Sequence, residues 1–209
     1  MANIPLIKLE ETKTGDILLV CGSELLSKII QASDKIEENK VIGSLSDQGY
    51  KFSHGAVIDK RSTTNKDCDE AEAGGIVKNS ITDEYLNDDS IKSLLVLRLN
   101  TMAIPEIEAQ TFLDQFTNLN NGFWHNLFHP DKTKYAFLNL PAFLIYWLTN
   151  KRIWLGTGSD DIKSFCCGDF CAFFINHFYK NSFPEHEKVA PVDLFMSPLF
   201  DHFILKQIQ

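Results

Sequence analysis

The residues best suited to chemistry in this sequence are a doubled cysteine and six histidines. The stretch Ser164-Phe165-Cys166-Cys167-Gly168-Asp169-Phe170-Cys171-Ala172-Phe173-Phe174-Ile175-Asn176-His177 reads as a helix that begins near the double cysteine. Phe170, Phe174 and His177 fall on one stripe, with Cys171 and Phe178 beside it. Cys167 precedes Phe170 and Cys171 by three and four residues, so it sits over the same face at the helix N-terminus. A thiol in that position meets unpaired backbone N–H groups and the positive end of the helix dipole. Both favour the thiolate, which is the nucleophilic form. The same N–H groups suit an oxyanion hole for a tetrahedral intermediate. Cys166 and Cys167 are both candidates. Cys167 is preferred because Gly168 follows it and permits close approach to the backbone. The competing role for either cysteine is that of a small buried apolar side chain.

A nucleophilic thiol needs a base, and histidine is the usual one. The choices are His54, His125, His129, His177, His186 and His202. His54 stands out because it lies in an apolar run beside Gly55, where a titratable ring needs a reason to be buried. His177 is on the cysteine helix but nearly three turns away, out of reach of Cys167. His125 and His129 fall in an aromatic loop that is suited to lining a cleft.

The elements that must position these groups follow from hydrophobic periodicity. Asp16-Ile17-Leu18-Leu19-Val20 reads as a buried strand, and Ser23 starts a helical pattern through Leu25, Leu26, Ile29 and Ile30. Residues 33–50 are polar and read as a helix end and a surface loop. Residues 52–58 read as a second strand whose alternation puts Phe52, His54, Ala56 and Ile58 on one face. After a polar hairpin-type loop, Cys68 to Val77 reads as a returning strand ending in the Gly74-Gly75 turn. Leu94–Leu99 is a further strand, and Pro105 opens a helix through Phe116. The last ordered feature expected is Pro191–Pro198. The segment from Phe112 to Trp154 holds all three tryptophans, Trp124, Trp147 and Trp154. Core packing is its first reading, and an apolar wall for a substrate tail the second.

The composition narrows the classes. The chain has 209 residues, 44% hydrophobic and 23% charged, which fits a globular domain and excludes a disordered or collagen-like chain. A net charge of -8 without a basic block argues against binding nucleic acid. The longest apolar stretch, near Phe137–Leu148, is broken by Asn139 and Pro141, so no transmembrane segment is expected. The N-terminus lacks a Sec-type signal, which points to a cytoplasmic protein or one exported by another route. Five cysteines in no paired spacing imply reduced thiols. Cys166, Cys167 and Cys171 with a histidine raise a metal site as a rival, but no second Cys/His pair completes the usual zinc spacing, so no metal and no cofactor are expected. No repeat or linker is evident, and residues 1–209 read as one domain with an aromatic-rich insertion at about 101–160.

Taken in order, several short motifs resemble a known pattern. They are Gly15-Asp16-Ile17-Leu18-Leu19, Leu26-Ser27-Lys28-Ile29-Ile30, Ser53-His54-Gly55-Ala56-Val57, Glu70-Ala71 with Gly74-Gly75-Ile76, Phe165-Cys166-Cys167-Gly168-Asp169-Phe170, and Pro191-x-Asp193-Leu194. Their order resembles the circularly permuted branch of the papain-like, NlpC-type cysteine hydrolases, the YiiX/YebB-like group, in which the histidine strand precedes the cysteine helix. The resemblance implies an α+β fold with a small antiparallel sheet or half-barrel packed against the cysteine-bearing helix. It implies Cys167 as nucleophile, His54 as base and Glu70 as the orienting residue, with Glu72 as the alternative. These two glutamates share a strand face, and Glu70 matches the family spacing to the Gly-Ile pair better. For both, a solvated pair in an acidic loop is the competing role.

The chain departs from the family in three places. Cys167-Gly168-Asp169 stands where the family has Cys-Ser-Glu, though an acid in the first turn is kept. The loop before the histidine strand is longer and more charged, and the aromatic insertion has no counterpart. The resemblance implies a cysteine-dependent hydrolase or acyltransferase acting on an amide or ester bond through a thioester. Its substrate is a peptide, an amide or a lipid ester, and the aromatic segment favours one with an apolar tail. The alternative is a non-catalytic ligand-binding module on the same fold.

Overall fold

The computed structural model describes residues 4–22, 52–61, 66–72, 74–118, 128, 131–135, 164–184 and 189–207. It is an α+β structure built on a six-stranded antiparallel sheet. The strands are β1 (Ile17–Gly22), β2 (His54–Ile58), β3 (Cys68–Glu72), β4 (Gly75–Asn79), β5 (Ile91–Leu99) and, at the far edge, β8 (Phe200–Gln207). Their order is β4-β3-β2-β1-β5-β8. Two short parallel strands, β6 (Lys134–Tyr135) and β7 (Ser164–Phe165), form a separate ribbon. The helices among the described residues are α1 (Glu106–Phe116), α2 (Cys167–Phe178) and α3 (Pro191–Met196), with a 3-10 turn at Leu9–Glu11 and a π-helical turn at Thr82–Leu86.

β1 and β5 are interior strands and nearly continuous apolar runs, because both faces of the sheet are covered. Alternate residues feed two cores. Ile17, Leu19, Val57, Ala71, Leu95 and Leu97 pack with Phe112 of α1 and Phe170 and Phe174 of α2. Leu18, Val20, Ala56, Ile58, Leu94 and Val96 pack with Ile81 and Tyr85 around the π-helical turn. The period of two is thus resolved into two covered faces.

β3 is held from both sides by charge. On the α1 side, Asp69 accepts from Thr117 at 2.6 Å and pairs with Lys78 at 3.0 Å. Lys78 also pairs with buried Asp59, which Arg61 Nε approaches at 2.7 Å. Arg61 then reaches Asp114 on α1 at 2.5 Å. Burial, offset in part by Lys78, pushes the Asp69 carboxyl up to about 7.

Three expectations are corrected. The chain does not end its ordered structure at Pro198, since β8 follows and pairs with β5 from Phe200–Leu99 to Gln207–Ser93. Asp201 and His202 interrupt the apolar pattern of β8, so its strand state is set by the open edge of β5. The return from Cys68 to Val77 is two strands, and Gly75 opens the second in a left-handed conformation (φ 93°) that suits glycine. Phe52 does not share a face with Ala56 and Ile58. It precedes β2 and joins the other core, where its ring lies 5.0 Å from Phe195. Alternation holds only inside the paired strand.

Ser23 to residue 50, including the expected helix and polar loop, lies outside the described residues. So do Trp124, Trp147, Trp154, His125, His129 and His186. Within 101–160, α1 packs on α2, with Phe112 5.6 Å from both Phe173 and Phe174. No helix among the described residues is long and apolar enough to cross a membrane.

Candidate functional site

α2 starts at Cys167, with Cys166 as its N-cap residue in an extended conformation. Asp169 fixes this start by accepting the Cys166 backbone N–H at 3.1 Å. The carboxylate also complements the positive end of the helix. The apolar stripe of α2, with Phe170, Cys171, Phe174 and Ile175 buried, then presses the helix onto the sheet.

Two glycines set how closely the helix approaches its neighbours. A Cβ at Gly55 would meet Cys171 Sγ at 3.4 Å and the Cys167 carbonyl at 3.9 Å, so β2 and the first turn of α2 are nearly in backbone contact. A Cβ at Gly168 would lie 3.0 Å from the Val189 carbonyl carbon and 3.1 Å from that of Ala190, and closer still to the Val189 oxygen. The chain entering α3 therefore runs directly over the second residue of α2. That chain is itself fixed by Asp193, which accepts the Ala190 N–H at 2.7 Å, with Pro191 at the first helical position. The Pro191-x-Asp193 motif is a helix start.

His54 is the first residue of β2, opposite Val20 of β1. Its ring interacts with the Cys167 side chain and, through Nε2, hydrogen bonds with Glu70 Oε2. Glu70 engages Nε2, which leaves Nδ1 as the nitrogen for the thiol. Glu70 is opposite Ala56, so its contact with His54 is a diagonal cross-strand pair. The imidazole side chain is 23% exposed and the Glu70 side chain 1%. The structure thus brings Cys167, His54 and Glu70 together, with His54 between the other two.

Glu70 is not a solvated charge. Tyr85 Oη donates to Oε2, the oxygen that faces His54, and Asn79 Nδ2 donates to Oε1 at 2.8 Å. Burial alone would raise the Glu70 carboxyl. The His54 charge and the hydrogen bonds from His54, Tyr85 and Asn79 outweigh it and hold the carboxyl below its usual range. Burial alone would likewise lower the His54 imidazolium. The neighbouring Cys167 and Glu70 side chains reverse this and raise it well above its usual value.

Glu72 is half-buried and does not sit on a solvated turn. It shares the Asn79 amide with Glu70, accepting at 2.8 Å through Oε1. Burial first, and then the charge of Glu70, push its carboxyl up to about 7. Glu72 has no hydrogen bond to His54 among the described contacts, and Glu70 takes that place.

The remaining candidates are elsewhere. His177 is exposed and stacks on Phe112 at 4.4 Å, and His202 pairs with the Phe195 carbonyl at 2.7 Å. None of the five cysteines is in a disulfide, and all are buried. Burial pushes the Cys68 and Cys171 thiols well up, away from reactive thiolates. Among the described residues, no group of three or more His, Cys, Asp or Glu side chains could hold a metal ion.

Sequence reasoning missed Asn79 and Tyr85. Asn79 was within reach of it. Once the hairpin turns at Gly74, Asn79 falls opposite Cys68, two residues from the Glu70–Val77 pair and on the same face. Tyr85 gave no signal, because Asp83-Glu84-Tyr85-Leu86-Asn87 has the composition of a solvated loop.

In comparison with known proteins, the chain matches no family model and no curated protein.

Proposed function

We propose that this chain is a cysteine-dependent hydrolase or acyltransferase that works on an amide or ester bond through a thioester, on a permuted papain-like arrangement. The observation that carries this reading is His54 held between the Cys167 thiol and the buried Glu70 carboxylate. A histidine strand that precedes the cysteine helix in the chain is consistent with the permuted order.

His54 Nδ1 takes the Cys167 proton, and the sulfur attacks the substrate carbonyl carbon. The oxyanion that forms lies at the positive, N-terminal end of α2. The tetrahedral intermediate collapses to a thioester, and the departing amine or alcohol takes its proton from His54. Water or another acceptor, deprotonated by His54, then attacks the thioester. The acyl group leaves on that acceptor, and the His54 proton returns to Cys167. Glu70 holds the ring and balances the imidazolium charge throughout. A binding module on the same scaffold has no need of an imidazole aligned between a thiol and a buried carboxylate.

The test is covalent trapping. The protein is exposed to a mixed library of amides and esters, quenched in acid, digested and analysed by mass spectrometry. An acyl mass on the Cys167 peptide, absent from Cys167→Ala, is the expected result. A library with reactive esters that leaves Cys167 unmodified, while iodoacetamide labels Cys68 or Cys171 as readily as Cys167, would overturn the proposal.

A further inference from the structure

Outside the nucleophile and base, the most complete polar construction among the described residues is the set of groups around Glu70. Both of its oxygens are occupied. Oε2 is shared by His54 Nε2 and Tyr85 Oη, and Oε1 receives Asn79 Nδ2 at 2.8 Å. Asn79 has two amide protons, and the second goes to Glu72 at 2.8 Å. Tyr85 is itself buried, and the π-helical turn that carries it is tied down from β8. Lys206 Nζ donates to the carbonyls of Tyr85 at 3.1 Å, Leu86 at 2.8 Å and Asp88 at 2.9 Å. The phenol therefore reaches Glu70 from a fixed point.

We infer that Tyr85 and Asn79 are positioning residues that keep Glu70 ionised and aimed at His54. This rests on the proposed thiol chemistry and deepens it. A carboxylate that is 1% exposed takes up a proton unless donors hold it ionised. His54 alone is a poor guarantor, because its own charge changes during the reaction. Two donors that do not titrate near neutrality supply a constant field. Tyr85 serves because burial and the nearby Glu70 charge hold its phenol well above its usual range, so it stays a donor. The titratable groups that interact with Glu70 are His54 from β2, Cys68 and Glu72 from β3, Tyr85 from the π-helical turn and Cys171 from α2, with Cys167 beyond His54.

The test follows the pH dependence of Cys167 alkylation by iodoacetamide, read peptide by peptide by mass spectrometry. The full chain is compared with Tyr85→Phe, Asn79→Ser and Glu70→Gln. Tyr85→Phe keeps the ring and its packing but removes the donor. The acid limb of alkylation is expected to move up by about one pH unit, making labelling roughly ten-fold slower on that limb, while the rate at alkaline pH is kept. Asn79→Ser should move the limb in the same direction. In Glu70→Gln the limb should become insensitive to adding Tyr85→Phe. A merely structural role would lower thermal stability without moving the limb. An unmoved limb in both Tyr85→Phe and Asn79→Ser, with Glu70→Gln altered, overturns the positioning inference and leaves the thiol chemistry intact. A wild-type limb in Glu70→Gln itself overturns the role given to Glu70 under the proposed function.

Discussion

Gly168→Ala isolates the geometry on which the site depends, because local propensity and packing pull in opposite directions. In the first turn of α2, alanine improves helix propensity by about 1 kcal/mol. Against that, the new methyl carbon would sit 3.0 Å from the Val189 carbonyl carbon and 3.1 Å from that of Ala190. Carbon atoms rest about 3.5–4.0 Å apart, so these contacts alone require the chains to part by at least about 0.5 Å. The Val189 oxygen lies nearer still and demands more. Both sides are backbone, and each is pinned by its own aspartate, Asp169 on α2 and Asp193 on α3, so neither yields freely. Overpacking of this kind costs about 1–3 kcal/mol, and it should win over the propensity gain. The melting temperature is expected to fall. Cys167 adjoins the clash, and displacement approaching 1 Å at a reacting group costs roughly 100-fold in rate. Iodoacetamide labelling of Cys167 and thermal melting by circular dichroism read the two effects. A variant that melts higher than wild type and labels at the wild-type rate would refute the argument, since Val189 would then not lie against the helix start.

Further outcomes concern the reacting groups and pH. Cys167→Ala should abolish acyl-enzyme formation while keeping the circular dichroism spectrum. Cys166→Ala, at the N-cap and outside the helix, should keep most of it; loss in Cys166→Ala instead would move the nucleophile by one residue. His54→Ala should slow turnover of a trapped-library substrate by at least about 100-fold, and near wild-type turnover would remove His54 from the base role. Glu72→Gln should raise the melting temperature at pH 8 and leave it unchanged at pH 4. The Glu72 carboxyl moves from an ordinary 4.5 to about 7 on folding, so the native state holds its proton more tightly. Stability from this group is therefore full below 4.5 and is lost as pH rises towards 7, a loss that glutamine escapes. Equal melting shifts at both pH values would sink that account.

Where burial and periodicity coincide, the structure was legible from the residues. β1, β5 and α2 are segments whose apolar pattern alone demands cover, and their starts and ends lie within a few residues of expectation. Cys167 and His54 were legible for a chemical reason, namely a thiol at a helix start and a titratable ring in an apolar strand. What could not be read was set by distant neighbours. β8 exists because β5 offers it an edge, and Phe52 turns away from its expected face because pairing begins only at His54. The choice between Glu70 and Glu72 was beyond any period-two argument, since both point the same way. Which of the two meets His54 is set by the diagonal from Ala56 and by a phenol that arrives from a segment with no apolar pattern.

The energetics of that choice bear on the proposed function. A carboxylate with 1% exposure loses nearly all its hydration, and uncompensated burial of a charge costs several kcal/mol. Here the compensation comes from three side chains on three different elements, and each must be ordered to provide it. Apolar side chains of similar size in the same place are commonly as stable or more so. Packing alone therefore gives no reason for Glu70 to be where it is. Under the proposed function its position is accounted for by the imidazole beside it, which would carry a full positive charge each time Cys167 gave up its proton. With Glu70 in place, that charge would form next to a fixed counter-charge instead of in an apolar strand, and the proposed proton transfer between Cys167 and His54 would need little change in surrounding structure.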